Sequence, residues 1–186
     1  MKFLNSFSTF LPWMAYGILS SVFPPLAFPV AAIGFLFSYA NLKKGFILEW
    51  GSLLFFIILA LNYYVFKNQW LFQHLSIFTS FFFVSTAGIS LLIRRPFTLQ
   101  YAKLEVDQKF WNNPLFFRVN QIMTGALGII FFGTMLVNLY RYAHPGVLNG
   151  WAIWFIMSLA QIIFIRKFPK WYTKRHLQKT KTESIT

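Results

Sequence analysis

The chain has 186 residues, of which 57% are hydrophobic and 22% aromatic, but only 11% charged, with a formal charge of +13. A soluble domain carries about 25% charged residues, so this composition cannot clothe a water-facing surface and points to a bilayer. With no cysteine in the chain, disulfides, thiolate metal sites and cysteine nucleophiles are all excluded.

A membrane helix needs about 20 mostly apolar residues to cross roughly 30 Å of hydrocarbon. Residues 3–23 meet this, with Pro12 as an expected kink. Lys2 precedes the run without a small-residue cleavage site, so a cleaved signal peptide is not expected. Pro24, Pro25 and Pro29 mark a tight turn or a broken helix start, and a second span follows over 26–42, closed by Lys43-Lys44-Gly45. The third span is expected over 46–66 and the fourth over 70–93. Pro96 disfavours helical geometry at Arg95 and ends that span.

The stretch RRPFTLQYAKLEVDQKFWNNPLFFR, from Arg94 to Arg118, is the most polar part of the chain's middle. Thr98 fits an N-cap, and Leu99, Ala102, Val106 and Phe110 recur at three- and four-residue spacing. That predicts a short amphipathic helix over 99–110 on the cytoplasmic membrane surface, ended by Asn112-Asn113-Pro114. The fifth span is expected over 117–140 and the sixth over 147–165, with Gly125, Gly128 and Gly133 allowing close packing of the fifth. Residues 1–174 then form one transmembrane domain and 175–186 a basic, polar cytoplasmic tail, frayed beyond Lys174.

Orientation follows from counting Lys and Arg on alternate sides of the spans. With the N-terminus inside, Lys67 and Arg141 are outer and the other fifteen basic residues inner. The expected fold class is therefore all-α: an integral membrane bundle of six transmembrane helices with a cytoplasmic amphipathic linker helix and both termini cytoplasmic. Arg94, Arg95, Lys103, Lys109 and Arg118 are candidate contacts to anionic headgroups of the lipid bilayer on that side. The net charge is explained by such flanking positions, so nucleic acid is not an expected partner.

A weak internal echo accompanies this plan. Leu42-Lys43-Lys44-Gly45-Phe46, Ile93-Arg94-Arg95-Pro96-Phe97 and Ile165-Arg166-Lys167-Phe168-Pro169 each place a basic-aromatic step at an inner span end. Asn62-Tyr63-Tyr64 likewise matches Asn138-Leu139-Tyr140. Parallel repeats of a helical hairpin would produce the pattern; basic stops and aromatic belts, required at every inner boundary, produce most of it too.

Polar side chains within spans are costly and so invite a functional reading. Asn62, Asn120, Gln121, Thr124 and Asn138 form the candidate polar pocket, with interhelical hydrogen bonding as the competing role. Glu49 is the one carboxylate close to a span. It suits either a proton or cation site or, more economically, an interfacial pair with Lys43 or Lys44. His74 and His144 lie on the outer side without metal-ligand spacing. No paired-carboxylate, Gly-x-Ser-x-Gly or Walker-type motif is present, so catalytic residues, cofactor and metal are not expected, and neither is enzymatic activity.

The run RRPFTLQYA, followed by Trp111, Pro114 and Asn120, and then by Phe131-Phe132, Asn138-Leu139-Tyr140 and Trp151, resembles the intracellular septation protein A family of small bacterial inner-membrane proteins and its uncharacterised relatives. The resemblance covers roughly the last two-thirds of the chain. It implies a multi-span protein of the bacterial inner membrane linked to cell-envelope maintenance, with no catalytic residues to carry over. A structural or interaction role, with a membrane-protein partner or a homo-oligomer, is the expected function. The alternatives are a small solute transporter using the polar pocket at the helix-repeat interface, and a membrane-bound lipid-modifying enzyme.

Overall fold

The computed structural model describes residues 11–144, 146 and 150–183. Lys2, residues 3–10 of the expected first span, and 147–149 at the start of the expected sixth lie outside them. The described residues are helical throughout, without strands. Helix α1 covers Leu11–Val22 and α2 Pro24–Gly34. Pro24 and Pro25 fill the first positions of α2, where a missing N–H costs nothing. A 3-10 turn, Phe35–Ser38, carries the chain into α3, Tyr39–Lys43. Helix α4 is Ile47–Leu61, continued by a π-helical turn over Asn62–Phe66. Short α5, Gln69–Gln73, and long α6, Leu75–Leu92, are separated by a break at His74. Helix α7, Phe97–Glu105, precedes a 3-10 turn at Gln108–Phe110. Helix α8, Pro114–Ala143, and α9, Gly150–Glu183, complete the chain.

Three helical stretches among the described residues are long and apolar enough to cross a membrane: Ile47–Phe66, Leu75–Leu92 and Pro114–Ala143. They coincide with the third, fourth and fifth expected spans. The fourth is shortened at its start because Asn68 caps α5, accepting from the Trp70 backbone N–H at 3.0 Å, and the helix restarts after His74. The fifth starts three residues early, since Asn113 accepts from Leu115 N–H at 2.8 Å and Pro114 takes the first helical position.

Two helix ends share one device. Gly45 (φ 73°) and Arg94 (φ 55°) both adopt left-handed geometry. Phe46 N–H donates to the Asn41 carbonyl and Gly45 N–H to Leu42; Arg95 N–H donates to Ser90 and Arg94 N–H to Leu91. These are the paired bonds of a Schellman motif. In each case a buried phenylalanine follows, Phe46 or Phe97. The third step of the sequence echo behaves differently: residues 165–169 lie inside the continuous helix α9, with Pro169 internal. Helix α9 continues past Lys174 to Glu183.

Two apolar cores hold the bundle. One joins Phe28, Ala31 and Phe35 to Phe56 and Leu59, with Trp13, Tyr16, Tyr63 and Phe72 packed around it. The other joins Leu48, Ala87, Phe97 and Leu127, flanked by Phe82, Phe83, Phe131 and Phe164. Helices α6 and α8 approach closely where Gly128 meets Ala87: a Cβ on the glycine would sit 3.2 Å from the alanine Cβ. At Gly133, by contrast, a Cβ would meet nothing within 4 Å.

The linker departs from expectation. Instead of a surface helix over 99–110 capped by Thr98, α7 is nine residues long and Thr98 makes no capping bond. Phe97 and Thr98 are buried, whereas Phe110, on the expected apolar stripe, is exposed. The reason is chemical. Thr98, Gln100 and Tyr101 hydrogen-bond to other helices, so α7 turns a partly polar side inward, which a count of apolar residues assigns to solvent.

Candidate functional site

The loop Lys44–Phe46 ends α3 and starts α4, placing Glu49 in the first turn of α4. There the unpaired N–H groups of the helix start favour negative charge. Glu49 is fully buried. Its Oε1 accepts from Asn41 Nδ2 at 3.0 Å, and its Oε2 accepts from the Tyr101 hydroxyl. Burying an ion costs several kcal/mol unless hydrogen bonds and nearby charge offset it. Here an amide, a phenol and a helix terminus contribute that offset. Lys43 and Lys44 are exposed, and the side-chain hydrogen bonds of Glu49 lead inward to Asn41 and Tyr101. Glu49 is thus buried beneath α7 rather than left open to solvent.

The neighbours of Tyr101 on α7 complete a lattice. Gln100 Oε1 accepts from the Ile47 backbone N–H at 2.9 Å. Phe46, at the N-cap of α4, has no side-chain acceptor to offer, so α7 supplies one from another part of the chain. Thr98 Oγ1 donates to the Asn120 carbonyl at 2.9 Å and lies 2.8 Å from Thr124 Oγ1. Asn120 Nδ2 donates to the Phe116 carbonyl at 2.8 Å. The Phe46 ring meets Tyr101 edge-on at 5.2 Å. One short helix thus ties α4 to α8.

The five residues of the candidate polar pocket separate into different places. Asn120 and Thr124 are buried within the α7–α8 lattice, while Gln121 is exposed. Asn138 donates to Ser80 Oγ at 3.0 Å and the Ser76 carbonyl at 3.3 Å, both on α6. It stands eighteen residues from Asn120 on one helix, or about 27 Å at 1.5 Å per residue. Asn62 belongs to the π-turn after α4, and its Oδ1 is buried without a hydrogen-bond partner, as is Ser38 Oγ. Residues overlooked in the sequence carry the lattice instead: Asn41, Thr98, Gln100 and Tyr101. Ser52 joins them as the acceptor for Trp13 Nε1 at 3.1 Å.

A cavity of about 60 Å³ lies beside this region, lined chiefly by Leu48, Phe83, Phe97, Leu127 and Phe131, with Thr86 and Gln161 as its polar members. Solute sites measure about 300–1,000 Å³, so this one has no room for a metabolite. The candidate headgroup contacts ring the same end of the bundle. Arg94, Arg95, Lys109 and Arg118 are exposed; Lys109 pairs with Asp107 at 3.8 Å, and half-buried Lys103 lies 5.1 Å above the Trp111 ring. At the opposite end, buried His74 donates from Nδ1 to the Trp70 carbonyl at 2.7 Å and packs 4.3 Å from Tyr142. His144 is exposed and stacks on Tyr140. Among the described residues no three His, Asp or Glu side chains are grouped to hold a metal ion.

Comparison with protein-family models, with curated proteins and with solved structures yields no match. The class that the fold defines is an all-helical protein with three helices able to cross a bilayer, locked at its basic end around a buried carboxylate.

Proposed function

We propose that the chain is a six-span protein of the bacterial inner membrane, both termini inside, with a structural or interaction role in the cell envelope. Helices α2 and α3 with their 3-10 turn supply twenty continuous helical residues, Pro24–Lys43, enough for a second span. Helix α9 is long enough to cross and then project inward. The observation that carries the functional reading is the contrast between inside and flank. The buried Glu49 lattice closes the interior over a cavity too small for a solute, while Ile129, Leu92 and Ile18 stand 75%, 83% and 64% exposed on the flanks. Such flanks suit lipid or a partner helix.

Because the chain has no cysteine, single cysteines test the topology cleanly. Thr182→Cys should be labelled only from the cytoplasmic side and Lys67→Cys only from outside; the reverse pattern, or both from one side, ends the six-span reading. A photo-crosslinking residue at Ile129 should capture one recurring envelope protein or a second copy in cells, and capture of lipid alone rejects the interaction role.

A second reading is favoured by Glu49 itself, since an intramembrane carboxylate marks proton and cation paths. A carrier would conduct protons into dye-loaded proteoliposomes and lose the flux in Glu49→Gln. Equal flux in both, or none in the unmodified protein, discards it.

A further inference from the structure

The outward side of α9 has an order of its own. Ala160, Ile163, Phe164, Lys167, Phe168 and Trp171 border a shallow, open groove between side chains on one face of α9, and their three- and four-residue spacing puts them in one stripe along the helix. The Phe164 and Phe168 rings stack at 4.9 Å, Phe168 meets Trp171 at 6.1 Å, and the Arg175 guanidinium lies 5.4 Å over the Trp171 ring. Gln161 and Ile165 point into the internal cavity. At 100° per residue the centre of the stripe is turned away from them by about a third of a circle, so that Phe164 edges the second core while Ala160, Ile163, Lys167 and Trp171 are exposed. Along the stripe, Ala160 and Ile163 give way to the rings of Phe164, Phe168 and Trp171, with Lys167 set among the rings and Lys174 and Arg175 beyond them.

We propose that this groove binds one anionic phospholipid of the inner leaflet, its acyl chain along Ala160, Ile163 and Phe164 and its phosphate between Lys167 and Arg175 beside Trp171. The order of apolar, aromatic and cationic groups is that of a lipid read from tail to head. A soluble anion has no use for the apolar half, and a second copy packed in parallel would set Lys167, Lys174 and Arg175 against themselves. The site rests on the six-span reading, in which α9 leaves the membrane near Lys167.

The test uses the full chain in detergent, titrated with phosphatidylglycerol or phosphatidylcholine and read by native mass spectrometry. The unmodified protein should retain one phosphatidylglycerol in preference to phosphatidylcholine. Lys167→Gln with Arg175→Gln should weaken that retention about thirtyfold, the effect of two cations near a charged surface. Ala160→Trp should abolish it by filling the groove with the charges intact. Equal retention of both lipids, persistence in the Gln double variant or in a folded Ala160→Trp variant, or displacement by inorganic phosphate would each overturn the site. Labelling of Lys174→Cys from outside alone would instead remove the six-span reading beneath it.

Discussion

The basic end of the bundle and its aromatic middle solve the same packing problem with different chemistry. Around Glu49, four helical segments are joined by directed bonds, each of which needs one particular atom: Asn41 Nδ2, the Tyr101 hydroxyl, Gln100 Oε1 and Thr98 Oγ1. Around Phe56, the rings of Trp13, Tyr16 and Phe35 lie 4.7–6.0 Å away at varied tilts, and shape matters more than any single atom. In lipid, apolar surface gains little by leaving the solvent, so helices are held by contact and hydrogen bonding. The polar end should therefore determine which helices meet, and the aromatic middle how tightly.

The largest expected effect comes from removing the shared acceptor. Glu49→Ala removes the acceptor shared by the Asn41 amide and the Tyr101 hydroxyl and should cost about 2–6 kcal/mol, at about 1–3 kcal/mol for each hydrogen bond lost in a buried site, read as thermal or denaturant unfolding in detergent. A cost below that of Thr98→Val would show that α7 is not held by this lock. Next comes Phe56→Ala, expected to cost about 2–3 kcal/mol, less than the ~3–5 kcal/mol of an aqueous core because in lipid the cavity remains but little transfer free energy is lost. Phe56→Leu should recover most of that, because volume-conserving changes are tolerated in such cores; if Leu is as damaging as Ala, the middle is as atom-specific as the end. The smallest effect is Thr98→Val, about 0.6–1 kcal/mol, an ordinary interhelical hydrogen bond in a membrane. A larger loss would mean that Thr98 and Thr124 act as part of the carboxylate lock.

Much of the helical plan is legible in the sequence, and the reason is physical. Apolar length marks Ile47–Phe66, Leu75–Leu92 and Pro114–Ala143, because backbone polar groups in a bilayer must be satisfied within a helix. Asn113-Pro114 announces a helix start by its capping chemistry. The site is far less legible. Tyr101 stands 52 residues from Glu49, reads as one more boundary aromatic, and lies on a helix whose apolar stripe points elsewhere. Lys43 and Lys44 offer Glu49 a nearer and more obvious partner. Asn41 lies one turn before a basic stop and reads as part of it. Of the proposed pocket, Asn120 and Thr124 do enter the lattice. Asn62 and Asn138 share with them polarity in an apolar run, which says nothing of which way a helix is turned.

The separation along the chain has a temporal side. Asn41 and Glu49 are eight residues apart, so the first half of the lock can form as soon as one helical hairpin exists. Tyr101 arrives 52 residues after Glu49, just behind Thr98 and Gln100, and at about 5–20 residues per second of synthesis that is a delay of about 3–10 s. During that interval a carboxylate waits at the start of α4 without its phenol, and α4 without its cap from Gln100. The early hairpin is thus a provisional structure, and α7, made after α6, works as a late clasp on the arrangement of the earlier helices.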